Sequence, residues 1–324
     1  MDKYIVSLTT KVSAAKLGKA QGRTLLAIEP EDYTKAEVAA LKASGYTVLG
    51  YLSCGSVSDE REYYKALKPY CLKKLDDWPH ERYLDLRKAA ARDWCVDRAR
   101  AVKAQGFDGW WIDNLDVYEE YPSSAMYNAV KSVLGRIKAL GGYVMVNGGS
   151  SFLGKLMDND GGKALYKVQL GAFSVEGNAK RRQKEAEAGG INAVVLQAAG
   201  VYRVQAGAFS VRGNAEKMLS KAKAAGFTGA FIVEEGGSGS CGCVDGVTQE
   251  EVFSLITSYK GTGKFGNQEK KQSEWYQSHM KRCVSHGMGG FLLEYTKDNV
   301  LKLRIRAFCN AHGMACCISE NVDL

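Results

Sequence analysis

Short runs dominated by apolar residues recur along the chain, and most are followed by a stretch with helical spacing. TLLAIE (24–29), TVLGYLS (47–53), RYLDLR (82–87), GWWIDN (109–114), YVMVNG (143–148), GVTQEE (246–251), FLLEYT (291–296) and MACCIS (314–319) read as strands, since brief apolar or alternating runs that end at polar or glycine residues are strand signals. Residues 34–44, 92–105, 125–140, 268–286 and 298–312 carry apolar positions at helical intervals and read as helices. Strands alternating with helices predict an α/β fold with a parallel sheet, and roughly 240 residues arranged this way is the size of a (β/α)8 TIM barrel.

A repeat interrupts this pattern. Residues 166–179 (YKVQLGAFSVEGNA) and 202–215 (YRVQAGAFSVRGNA) differ at three of fourteen positions and lie 36 residues apart. Each copy opens with alternation of period two, continues into a helical run closed by glycine (AKRRQKEAEAGG, AEKMLSKAKAAG), and is followed by a short apolar strand (AVVLQ at 193–197, GAFIV at 229–233). The unit is βαβ and occurs twice, so the segment predicts a small α+β sandwich of order βαββαβ with one open sheet face. Domains of 1–160 with 241–324 (the barrel, discontinuous) and 163–235 (the insert, between barrel strands five and six) follow from the pattern. Loop ends that lie close together at a surface tolerate such insertion.

Composition narrows the function classes. The 324 residues are 45% hydrophobic and 25% charged, which suits a folded chain with a sizeable core. No run is long enough to cross a bilayer, so membrane insertion is not expected. The first twenty residues contain no apolar stretch of signal-peptide length, and synthesis in the cytoplasm without a signal peptide is expected. Nine cysteines, an odd number, are then expected to be reduced thiols. Cys241-Gly242-Cys243 and Cys316-Cys317 lack the spacing of zinc ligand pairs, so no metal is expected. No G-x-G-x-x-G follows a strand, and no cofactor is expected.

Polar residues at the carboxyl ends of barrel strands converge on one mouth, where such folds place their chemistry. Those residues are Glu29, Tyr51, Asp85, Asp113 with Asn114, Asn147, Glu250, and Glu294 with Tyr295. A ring of carboxylates, amides and tyrosines without histidine suits glycosidic-bond cleavage, in which one carboxyl protonates the leaving oxygen and another attacks or activates water. Glu250 and Glu251 are adjacent, so alternation sends only one of them inward. Asp85 is either a substrate contact or a structural partner of Arg87. Trp110 and Trp111 point to opposite sides of their strand, and both are read as packing residues.

The repeat resembles the sporulation-related repeat (SPOR) family in both halves, through Val168-Gln169-Leu170-Gly171-Ala172-Phe173 and Val204-Gln205-Ala206-Gly207-Ala208-Phe209 with Asn178-Ala179 and Asn214-Ala215. That resemblance implies binding of bacterial peptidoglycan, with Gln169, Ser174, Gln205 and Ser210 meeting sugar groups from the sheet face. Phe173 and Phe209 are read as core in preference to sugar platforms. The segment 163–235 holds eleven Lys/Arg against six Glu, a net charge of +5 within a chain of +8, which fits an anionic wall surface. An RNA-binding sandwich would share the topology, but the repeat favours glycan, and nucleic acid is not expected as a partner.

In the flanks, GYLSCGSVSDEREYY, ERYLDLR, GFDGWWIDNLDVYEEYP, VMVNGGSSFL and VDGVTQEEVFS, in that order, resemble glycoside hydrolase family 114, the endo-α-1,4-polygalactosaminidase-like barrels. The resemblance implies that Asp113 and Glu250 are the two catalytic carboxylates, with their individual roles left open. It departs where Ser56 follows Gly55 at a position the family commonly fills with Glu. Together the two resemblances imply a glycosidase acting on peptidoglycan or another amino-sugar polysaccharide. Bacteriophage endolysins, which reach the wall after release from the cytoplasm, fit this pairing. A polygalactosaminidase acting on an exopolysaccharide and a non-catalytic wall-binding protein are the alternatives.

Overall fold

The computed structural model describes residues 3–76, 78–159, 165–198, 200–209, 212–235 and 242–322. Contacts divide the chain into two compact units, Met1–Asp158 with Cys241–Leu324 and Asn159–Ser240. The first begins with β1 (Lys3–Ser7), β2 (Thr24–Ile28) and β3 (Tyr46–Ser53), followed by the short strands β4 (Ser56–Ser58), β5 (Cys71–Lys74) and β6 (Glu81–Leu84), and then β7 (Gly109–Asp113) and β8 (Tyr143–Asn147). The second supplies β9 (Leu165–Phe173), β10 (Val194–Ala198), β11 (Val201–Phe209) and β12 (Phe231–Glu235). The first unit resumes with β13 (Gly246–Glu250), β14 (Ser254–Ser258), β15 (Lys264–Asn267), β16 (Gly289–Tyr295) and β17 (Ala315–Ser319).

Eight strands form one parallel sheet in the order β1-β2-β3-β7-β8-β13-β16-β17. Strand β17 packs back beside β1, so the sheet curls into a nearly closed barrel. Alternation divides its side chains between two cores. Tyr4, Leu25, Ala27, Leu49, Trp111, Met145, Phe291 and Leu293 fill the interior, whereas Leu26, Ile28, Val48, Trp110, Ile112, Val144 and Val146 face the helices. The two tryptophans are both packing residues. Trp111 Nε1 donates to Tyr4 Oη at 2.6 Å inside the barrel, and Trp110 Nε1 donates to the Ala99 carbonyl at 2.9 Å outside it. Helices start where side chains cap them: Thr34 and Glu37 form a capping box before Lys35–Ala43, and Asp298 accepts from Val300 N at 2.7 Å before Asn299–His312.

The count of eight barrel strands holds, but its membership differs from the sequence reading. Residues 82–87 do not form a barrel strand; β6 pairs antiparallel with β4 and β5 in a separate three-stranded sheet. The barrel strand in its place is β1, whose sequence KYIVS is short and opens on a lysine. Alternation marks a segment as a strand without naming its partner, so RYLDLR reads the same in either sheet. Cys54, Cys71, Cys95, Cys309, Cys316 and Cys317 carry free thiols; Cys241 lies outside the described residues.

The second unit has an antiparallel sheet in the order β10-β11-β9-β12, covered on one face by helices Glu176–Ala188 and Arg212–Ala224. Buried Ala179, Ala186, Ala215 and Ala222 let these helices settle onto Val168, Leu170, Val204 and Ala206. The β9–β11 ladder slips register on both sides of the Gln169–Gln205 pair. Beyond the slips Phe173 pairs with Tyr202 and Phe209 with Tyr166, and all four pack against the small core. Gly207 takes φ 94°, and a Cβ at Gly171 or at Gly207 would stand 2.9 Å from the phenylalanine ring two residues on. The glycine of the repeated motif therefore permits the bulge and the ring above it. Gln169 and Gln205 are half-buried and alternate onto the face opposite the helices. Ser174 is exposed in the turn after β9, so it does not lie on the sheet face as the sequence reading expects. Ser210 lies outside the described residues.

Candidate active site

Five barrel strands deliver polar side chains to one constellation at the carboxyl-terminal mouth. Asn147, at the end of β8, donates through Nδ2 to Asp113 Oδ1 at 3.0 Å and to Glu250 Oε1 at 2.7 Å. Asp113 ends β7 and Glu250 ends β13, the strands that flank β8. Tyr51 of β3 donates to Asp113 Oδ2 at 3.3 Å, and Tyr295 of β16 donates to Glu250 Oε2 at 2.8 Å. Because one amide nitrogen bonds both carboxylates, their nearest oxygens can stand no farther apart than these two bonds laid end to end.

The backbone around Asp113 is shaped to present it. Asn114 follows in the left-handed region at φ 64°, its N–H donates to Asp113 Oδ1 at 2.9 Å, and its Nδ2 donates to Ser53 Oγ at 3.0 Å. Gly55 passes so close that a Cβ there would overlap the Asn114 carbonyl. Ser56 Oγ, in place of a carboxylate, bonds the Glu81 side chain and lies 3.0 Å from Ser53 Oγ.

Burial sets the proton affinities. Asp113 is pushed up to about 7, first by desolvation and then by the charges of Glu250 and Asp116, against the lowering effect of the Asn147 and Asn114 bonds. Glu250 is raised by desolvation, opposed by its bonds from Asn147 and Tyr295. Asp116, after the end of β7, is raised by burial and by neighbouring carboxylates. Both carboxyls are thus pushed toward the protonated form, which favours the state in which one carboxyl can donate while the other stays ionised.

Other residues expected at the mouth do structural work instead. Glu29 caps the turn at Pro30–Asp32 and forms an ion pair with Arg61 Nη2 at 2.8 Å. Asp85, on a loop of the accessory sheet, is held by Arg87 Nε at 2.6 Å. Glu294 is fully buried and accepts from Ser254 Oγ at 2.6 Å, Ser254 N at 2.9 Å and Phe253 N at 3.1 Å, pinning the chain after β13. Alternation along β16 puts Tyr295 into the mouth and Glu294 on its other side. Asp116 and Glu81 were not among the expected site residues. A second carboxylate in the IDNLD run is the one available signal for Asp116; Glu81 has none, because its approach to Ser56 depends on β6 pairing with β4. Among the described residues no group of three or more His, Cys, Asp or Glu is placed to hold a metal ion.

Glu294 allows a stability prediction with a sign. Desolvation raises its carboxyl from 4.5 to about 7. The folded state thus keeps a proton that the unfolded chain releases across that window, and stability falls as pH rises through it. Glu294→Gln is expected to flatten the decline in Tm between about pH 5 and 8. Glu294→Ala, which strands the Phe253 and Ser254 amides, is expected to cost about 3 kcal/mol in urea unfolding.

A family model for glycoside-hydrolase family GH114 matches residues 9–156, and one for the SPOR domain matches residues 162–234. The glycoside hydrolase domain of PelA from Pseudomonas aeruginosa superposes with a TM-score of 0.62 at 14% identity, over 99% of this chain and 98% of that one. Ega3 from Aspergillus fumigatus, solved in complex with galactosamine, superposes with a TM-score of 0.55 at 13% identity, over 99% of this chain and 92% of that one. At such identities the likeness speaks for the fold. No curated protein matches the sequence. The matched segments and the barrel geometry agree: the first unit has a TIM-barrel fold like that of GH114 glycoside hydrolases, and the second carries the match to the SPOR domain.

Proposed function

We propose that the protein hydrolyses glycosidic bonds in the glycan strands of bacterial peptidoglycan, with Asp113 and Glu250 as its two carboxylates and the SPOR domain holding it on the wall. The observation that carries this reading is the Asn147 amide shared between the two carboxyl groups. It holds the two carboxyls close together, which supports the short spacing, about 5–5.5 Å, that goes with a covalent glycosyl intermediate over the roughly 6.5–9.5 Å that leaves room for an attacking water. One carboxylate attacks the anomeric carbon while the other protonates the leaving oxygen; water then releases the sugar with its configuration retained. Glycan binding through the SPOR domain raises the local concentration of scissile bonds. An endolysin role follows from the same pairing of wall-binding and hydrolytic domains.

A second reading, hydrolysis of a galactosamine polymer, is favoured by the likeness to Ega3, which was solved with galactosamine. Reducing-end release from purified peptidoglycan, run beside α-1,4-galactosaminan, tests both. Soluble fragments with retained anomeric configuration are expected from peptidoglycan. Release from galactosaminan alone would replace that substrate with the second one, and release from neither would leave the barrel a binding protein.

A further inference from the structure

Two excursions of chain leave the barrel mouth and meet above it. Strands β4–β6 follow β3, and the β14–β15 hairpin follows β13. The first is anchored beside β7: Lys73 Nζ pairs with Glu120 at 2.5 Å, Lys73 N donates to Tyr121 Oη at 3.3 Å, and the Tyr83 and Tyr121 rings lie 6.3 Å apart. The second is anchored beside β16 and β17: Phe265 stacks on Tyr295 at 6.3 Å, and Val322 N donates to the Thr262 carbonyl at 3.3 Å. In the barrel order β7, which carries Asp113, is separated from β16 by β8 and by β13, which carries Glu250. Across that gap the Trp78 and Tyr259 rings meet edge to face, 5.6 Å between centroids.

This contact is unusual for two rings of such size, because Trp78 remains 53% exposed and Tyr259 52%. The tips meet through this aromatic contact, and about half of each residue's surface faces solvent. Aromatic faces of this kind pack against the C–H face of a pyranose, so a sugar ring can take the place of the ring–ring contact. A bridge of this form also separates substrates by length: a polymer must pass beneath it, whereas a short fragment reaches the carboxylates without it.

Resting on the hydrolase reading, we propose that Trp78 and Tyr259 form an aromatic clasp over the mouth that stacks on a ring of the polymeric glycan and holds it across Asp113 and Glu250. They act on substrate binding and the preference for long chains, not on the bond-breaking step.

The test uses the full chain with Trp78→Ala, Tyr259→Ala and Trp78→Phe, on soluble peptide-free glycan strands, α-1,4-galactosaminan and trisaccharides of each. Both alanine variants are expected to raise KM for the polymer about tenfold, with kcat changed little and trisaccharide cleavage unchanged. Trp78→Phe is expected to restore most of the polymer affinity. Thermal melts matching wild type show that the fold is kept, and Tyr259→Ala tests the clasp independently if the tryptophan variant is unstable. Unchanged polymer KM in folded alanine variants, with wild type active, overturns the clasp. An inactive wild type overturns the hydrolase reading instead, and the clasp is then read by fluorescence. All five tryptophans lie outside the SPOR domain, so a polymer-induced emission shift that persists in Trp78→Phe overturns the proposal, and one lost there supports it.

Discussion

Asp113→Asn and Glu250→Gln are each expected to lower kcat by about 10³-fold or more while leaving the protein folded. The loss is large because the two groups work as a unit: with one an amide, either the attacking oxygen or the transferable proton is gone. The fold survives because each amide is close to its acid in shape and keeps a carbonyl oxygen to accept from Asn147. The sign of the stability change differs from that of activity. Asp113 is raised to about 7 by burial and by the Glu250 and Asp116 charges, so the wild-type fold loses stability as pH rises from the ordinary aspartate range through about 7. Asp113→Asn has no such proton to lose, and its Tm is expected to exceed that of wild type at pH 8 and to approach it at pH 5. Hydrolysis measured beside melts at the two pH values checks both halves. An active Asp113→Asn enzyme would remove Asp113 from the chemistry.

Asn147→Ala is expected to cost about 10²-fold in kcat, the scale seen when one preorganised hydrogen-bond donor is removed from a buried site. Its pH profile is the more specific readout. The Asn147 bonds lower the proton affinity of both carboxyl groups. Removing them leaves the pair to face each other without the shared donor, so both affinities rise. The alkaline limb of the rate profile is therefore expected to lie at higher pH than in wild type. The substitution also removes Asn147 Oδ1, a buried oxygen with no hydrogen-bond partner, so the activity loss is not expected to carry a matching loss of stability. A variant with reduced kcat and an unmoved limb would make Asn147 a spacer between the two acids and not a tuner of them.

Several parts of this site were legible in the amino-acid order alone. WWIDN, YVMVN, VTQEE and LLEYT each end an apolar run with a polar residue, and parallel strands closed into a barrel bring such ends to one mouth; Asp113, Asn147, Glu250, Tyr295 and Tyr51 were found that way. The SPOR segment was equally plain, because an internal repeat needs no knowledge of which surfaces face each other. Local periodicity and turn chemistry act within a few residues, and so they survive in one dimension.

What only the tertiary structure decided is partner and phase. RYLDLR alternates as a strand should, yet it joins the accessory sheet, and Asp85 went with it to Arg87 instead of to the mouth. Glu294 and Tyr295 are neighbours on β16, and alternation allows one of them into the mouth without saying which. Desolvation settles it: a carboxylate on the outer side is tolerable only because Ser254 and the Phe253 amide are there to bond it. The bulges that turn Phe173 and Phe209 onto the core, the Glu81 carboxylate beside Ser56, and the meeting of Trp78 with Tyr259 all join residues far apart in the chain or register changes between strands. Such contacts depend on how completed elements pack, and one-dimensional pattern carries no record of that.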